Sequence, residues 1–125
     1  MSTTSFIYLG RERGKRVVHK VGQTTRSCWE RCRVADYLIG VGVEIELPGE
    51  TSTTRRKQLN GIEKDITLFF AQRFPREHGN EYFRTSKHPW EVTKVLFLEE
   101  MERLLEERGW NYKIHEGWVS PNYIY

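Results

Sequence analysis

The sequence predicts an α/β protein of the α+β kind: a small central antiparallel sheet of about three strands, flanked by helices. Three observations predict it. The stretch Arg16–Arg31 reads as a strand, a glycine turn and a helix start. Residues 41–47, Val-Gly-Val-Glu-Ile-Glu-Leu, alternate apolar and polar as a half-buried strand does. Residues 54–74 and 89–108 each carry apolar side chains three or four apart, the spacing of a helix with one buried stripe.

Taken in order, Ser5–Gly10 (Ser-Phe-Ile-Tyr-Leu-Gly) is an aromatic and branched run and predicts the first strand. Arg11–Lys15 is a charged turn, and Arg16–Val21 is the second strand, so the pair forms an antiparallel hairpin. In that hairpin Tyr8 projects from the same face as residues around Lys20. A phenol there either belongs to the core with its hydroxyl at the rim or serves a site. Gly22 permits a positive φ or a close backbone approach. Ser27 and Glu30 have the spacing of a capping box and open a first helix, Ser27–Tyr37. The strand at Val41–Leu47 turns Glu44 and Glu46 outward and ends at Pro48-Gly49.

The long helix Thr54–Phe74 buries Leu59, Ile62, Ile66, Phe69, Phe70 and Phe74. Glu63 follows Ile62 and so lies at the edge of that stripe. A carboxylate there is costly to bury unless it is paired or bound to a cation, and residues 59, 60, 66 and 67 offer no cation. Pro75 stops the helix, Arg76–Asn80 is a polar loop, and Glu81–Arg84 is a short strand or turn. The last helix, Pro89–Arg108, presents Val92, Val95, Leu96, Leu98, Met101, Leu104 and Leu105, with Gly109 as its C′ residue. Its glutamates form a solvated face. Trp110–Ile114 reads as an added edge strand. The aromatic end, with Trp118, Tyr123 and Tyr125, packs back on the domain or meets a protein partner.

The 125 residues fit one domain, and 38% hydrophobic with 30% charged residues is a globular composition. The net charge is only +3, but its distribution is uneven. Between Arg11 and Arg33 eight basic residues (Arg11, Arg13, Lys15, Arg16, Lys20, Arg26, Arg31, Arg33) stand against Glu12 and Glu30. Such a face fits an anionic partner, nucleic acid first, or else a solvated loop. Cys28 and Cys32 share a helix face with poor disulfide geometry and no second pair for zinc, so they read as buried thiols of a reducing compartment. No apolar run approaches 18 residues and the N-terminus lacks a signal-peptide pattern. The expectation is a cytoplasmic protein with no membrane partner.

Ile7-Tyr8, Lys20-Val21-Gly22-Gln23-Thr24, Arg31, Ile62-Glu63 and Asn80-Glu81-Tyr82-Phe83, in this order and spacing, resemble the GIY-YIG nuclease superfamily, in its phage-type branch. The resemblance spans residues 5–85, with 86–125 as a C-terminal helix and tail extension. It implies a metal-dependent endonuclease that hydrolyses DNA phosphodiester bonds. Tyr8 matches the general base for the attacking water, and Lys20 stands where the second motif carries tyrosine. Arg31 matches the arginine on the scissile phosphate. Glu63 matches the glutamate that holds one divalent ion, Mg2+ or Mn2+. Arg16, Lys20, Thr24, Arg26 and Arg33 would meet the DNA. Phe6 stands where the family has glycine, and Thr67 where phage-type relatives often have histidine. The alternative is therefore a degenerate, non-cleaving module that binds nucleic acid or a protein, for example a phage inhibitor.

Overall fold

The computed structural model describes residues 5–12, 18–25, 27–34, 37–79, 82–85 and 90–120. The fold is α+β. Six strands form one antiparallel sheet, β1 (Phe6–Arg11), β2 (Val18–Thr24), β3 (Ile39–Ile45), β4 (Arg76–His78), β5 (Tyr82–Arg84) and β6 (Tyr112–Val119), in the order β4-β5-β2-β1-β3-β6. The helices are α1 (Cys28–Val34), α2 (Ser52–Ala71) and α3 (Trp90–Arg108).

The expectation of about three strands is corrected to six among the described residues. The three strands expected in the centre are β1, β2 and β3, with the first in the middle. The additions lie at both edges. Residues 76–78, expected as loop, form β4 and pair with β5, beside Gly79 at φ +61°. Strands of three residues are too short for alternation to reveal. At the far edge β6 pairs with β3 and carries the backbone of Trp118 opposite Gly40, so that residue belongs to the sheet. Tyr123, Tyr125, Asn80, Glu81 and Pro89 lie outside the described residues.

Alternation along β1 divides the molecule into two layers. Ile7 and Leu9 point to one face, where Val21, Val41 and Val43 join Leu59, Ile62, Ile66 and Phe70 of α2 and Phe97, Met101 and Leu105 of α3. Phe70 is fully buried at the centre of this core, its ring against those of Phe69, Phe74, Phe83 and Phe97. Phe6 and Tyr8 point to the other face and pack with Cys32 of α1 and with Tyr37. That second layer is thin because glycines line the sheet beneath it. A Cβ on Gly40 would run into the Cys32 thiol, and one on Gly10 would lie 2.6 Å from the Tyr37 ring.

Local signals account for most helix ends. Glu30 N–H donates to Ser27 Oγ at 3.1 Å, the expected cap of α1. Gly109 ends α3 at φ +72°. The helix expected over residues 54–74 begins two residues earlier, because Thr51 Oγ1 accepts from Thr54 N–H at 3.1 Å, and it ends three earlier, in a turn before Pro75. In α3 the expected buried face is also corrected. Val92 and Val95 are exposed, and the stripe on the sheet is Trp90, Thr93, Phe97, Met101, Leu104 and Leu105. The run from Val92 to Leu98 is apolar nearly all round, so periodicity alone does not choose its inner side. Among the described residues no helix is long and apolar enough to cross a membrane.

Candidate active site

Tyr8, Lys20 and Arg31 come together on the α1 face of the sheet. The register sets Tyr8 opposite Gly22, Gly10 opposite Lys20, and Lys20 opposite Tyr82, and directly opposed residues share a face. Gly22 is not the turn glycine the sequence suggested. It lies within β2, with no positive φ, and supplies the close approach instead. A Cβ at this position would be 2.6 Å from the Tyr8 hydroxyl and 2.7 Å from its Cζ. The phenol therefore lies directly on the strand, and Tyr8 is fully buried.

Two cations meet that phenol. Arg31 Nε on α1 points at Tyr8 Oη across 3.4 Å, long for a hydrogen bond. The contact with Tyr8 is the main reason the Arg31 guanidinium is held above its ordinary range. The Lys20 ammonium sits 5.9 Å from the centre of the Tyr8 ring and 5.5 Å from that of Tyr82. It lies within the range of cation–π attraction for both. Tyr37 completes the group, its ring 6.3 Å from that of Tyr8. Burial first, then the phenols of Tyr8 and Tyr82, push the Tyr37 hydroxyl well above its ordinary range, so it stays a neutral phenol.

Around Arg31 opens a cavity of about 580 Å³ between the ends of β1 and β2, α1 and the first turns of α2. Arg31, Arg55 and Arg56 line it, with Ser5, Thr24, Thr25 and Ser52, and among the described residues no carboxylate does. Of the DNA contacts expected from sequence, Thr24 borders this cavity, Lys20 lies in the tyrosine cluster, and Arg33 is exposed on α1. Arg16 and Arg26 lie outside the described residues.

Glu63 belongs to α2, on the opposite face of the sheet from Tyr8. One turn before it, Asn60 Oδ1 accepts from Gln23 Nε2 of β2 at 2.7 Å, which ties this side of the helix to the end of that strand. The carboxylate is half-buried and its Oε2 is shielded from solvent. Among the described residues no three His, Cys, Asp or Glu side chains gather into a group that could hold a metal ion. Glu63 is thus a single hard oxygen donor. That fits Mg2+ or Mn2+ in a site completed by water and substrate oxygens, and does not fit a closed protein cage.

Sequence reading missed Tyr37, Arg55 and Arg56. Tyr37 left no local signal, since it reaches the cluster only through the fold. The arginines did leave one. Arg55 and Arg56 stand in the first turns of α2, which has no acidic residue in its first turn. Cations this near a helix N-terminus stand on the unfavourable side of its dipole. Such a placement is legible in sequence once the helix start is known.

Comparison with protein-family models, with curated proteins and with solved structures finds no match.

Proposed function

We propose that this chain is a metal-dependent endonuclease of the GIY-YIG type that hydrolyses DNA phosphodiester bonds. The observation that carries the reading is the meeting of Tyr8, Lys20 and Arg31, three residues the motif pattern singles out, at one phenol beside an arginine-lined cavity. In this reading Arg31 and Lys20 bind the phosphate and offset the negative charge that builds on it in the transition state. Tyr8 Oη takes the proton of the attacking water. Glu63 would hold the divalent ion, which supplies Lewis-acid activation of the phosphate and of water when bound. Tyr37 positions Tyr8 by closing the far side of its ring.

A second reading is favoured by two observations: Tyr8 has no exposed surface, and Glu63 rises from the other face of the sheet. A sealed phenol suits a module that keeps the scaffold to bind nucleic acid or a protein without cleavage. The test is nicking of supercoiled plasmid by wild type and Glu63→Ala, with Mg2+ or Mn2+ and with chelator. The nuclease reading expects metal-dependent nicking that is lost in the variant. Intact plasmid, single strands and RNA after incubation with folded wild type would overturn it in favour of the binding module.

A further inference from the structure

We infer that the cavity between α1 and the start of α2 is a phosphate-binding subsite for the backbone of a nucleic acid, held by Arg55 and Arg56 beside Arg31. The inference rests on the nucleic-acid reading above and extends it to a contact surface on α2, outside the matched motifs.

Charge is the first argument. Three guanidinium groups from two helices line one cavity, with no carboxylate in its wall among the described residues. Among the described residues none of the three is paired with a carboxylate. Arg31 gives its Nε to Tyr8, and Arg55 gives Nη1 to the Gly49 carbonyl at 3.0 Å. Arg56 is exposed. Each guanidinium carries five N–H donors in a planar fork, so most of their donor capacity remains for a ligand. Like charges that share a cavity repel, and a phosphate between them offsets the repulsion and accepts bidentate bonds.

Shape and lining identify the ligand class. The hydroxyls of Thr24, Thr25 and Ser52 are donors suited to phosphate oxygens. Among the described residues no aromatic side chain lines the cavity, and Leu59 is the aliphatic one. Among the described residues a base therefore has no aromatic platform to stack on. The site reads the backbone and not the base. Arg31 borders both this cavity and Tyr8, so one strand can place successive phosphates at the tyrosine cluster and between the α2 arginines.

The test measures binding of a fluorescein-labelled DNA duplex by anisotropy, in chelator, across a salt series. The proteins are the full-length wild type, Arg56→Gln and Arg55→Gln/Arg56→Gln. Each phosphate contact contributes about 0.9 to the slope of log affinity against log salt. The expected slope falls by about 0.9 in the single variant and about 1.8 in the double one. A fourfold rise in salt would then cost the double variant about twelvefold less affinity than it costs wild type. Arg56 is exposed, so the single variant keeps the test valid if loss of the Arg55–Gly49 bond unfolds the double one. Circular-dichroism melts verify this. Slopes and affinities equal to wild type in a folded Arg56→Gln protein would overturn the subsite. So would inorganic phosphate or a nucleoside monophosphate binding as tightly as the duplex, which would make the cavity a small-molecule pocket. Because chelator prevents cleavage, failure of the nuclease reading shows in the nicking assay with Glu63→Ala and failure of the subsite shows only in this one.

Discussion

Replacing Gly22 with alanine sets a methyl carbon 2.6 Å from the Tyr8 hydroxyl, 2.7 Å from its Cζ and 2.9 Å from its Cε1. Ordinary contact begins at 3.4 Å, so the ring has to retreat by about 0.8 Å. Tyr37 and Phe6, packed against the same side chain, leave it little room. Overpacking of this kind costs about 1–3 kcal/mol, and the gain from alanine over glycine in a strand returns about 0.5–1. The net expectation is a loss of up to about 2.5 kcal/mol in urea unfolding. The same displacement changes the position of Tyr8 Oη relative to Arg31. If the cluster cleaves DNA, misplacement on this scale lowers the nicking rate by up to about a hundredfold. A Tyr8→Phe background removes the nearest atom of the clash. There the alanine should cost less, with a coupling of about 0.5 kcal/mol or more. A Gly22→Ala protein as stable as wild type, with zero coupling to Tyr8→Phe, would refute the close-approach account of Gly22.

Two further expectations concern the scaffold. Burial first, then nearby Arg11, hold the His19 imidazole down to about 3, against an ordinary 6.5. His19 stacks on Trp90 and hydrogen-bonds Thr85 through Nδ1, and its burial favours the neutral form there. The unfolded chain binds the proton first, so stability is full above pH 6.5 and is lost as pH falls from 6.5 towards 3, at up to about 1.4 kcal/mol per pH unit. Urea unfolding over that window should show this slope in wild type and a flatter one in His19→Phe; equal slopes would assign the acid sensitivity elsewhere. Phe70→Ala should cost about 3–5 kcal/mol, because the ring is fully buried among four other phenylalanines, and a loss below 1 kcal/mol in thermal or urea unfolding would contradict the described core.

What was legible in the sequence was what short-range chemistry dictates. The Ser27–Glu30 cap, the Gly109 stop, the stripe of α2 and the alternation of β3 each depend on residues within a turn or two of one another. Tyr8, Lys20 and Arg31 could be named because motif order survives without coordinates. Glu63 was conspicuous as a carboxylate beside an apolar stripe. What only the tertiary structure decided depends on partners far along the chain. β6 finds β3 across about seventy residues, and β4, read as loop, is too short to announce itself. Whether Gly22 served a turn or a close approach hung on where the Tyr8 ring came to rest. Val92 and Val95 faced outward because the sheet took the neighbouring side of α3. The entry of Tyr37 and Tyr82 into the cluster, and the meeting of the α2 arginines with Arg31, follow from strand register and helix placement. Local periodicity carries no information on either, since a strand's faces are set only when its pairing partner is fixed.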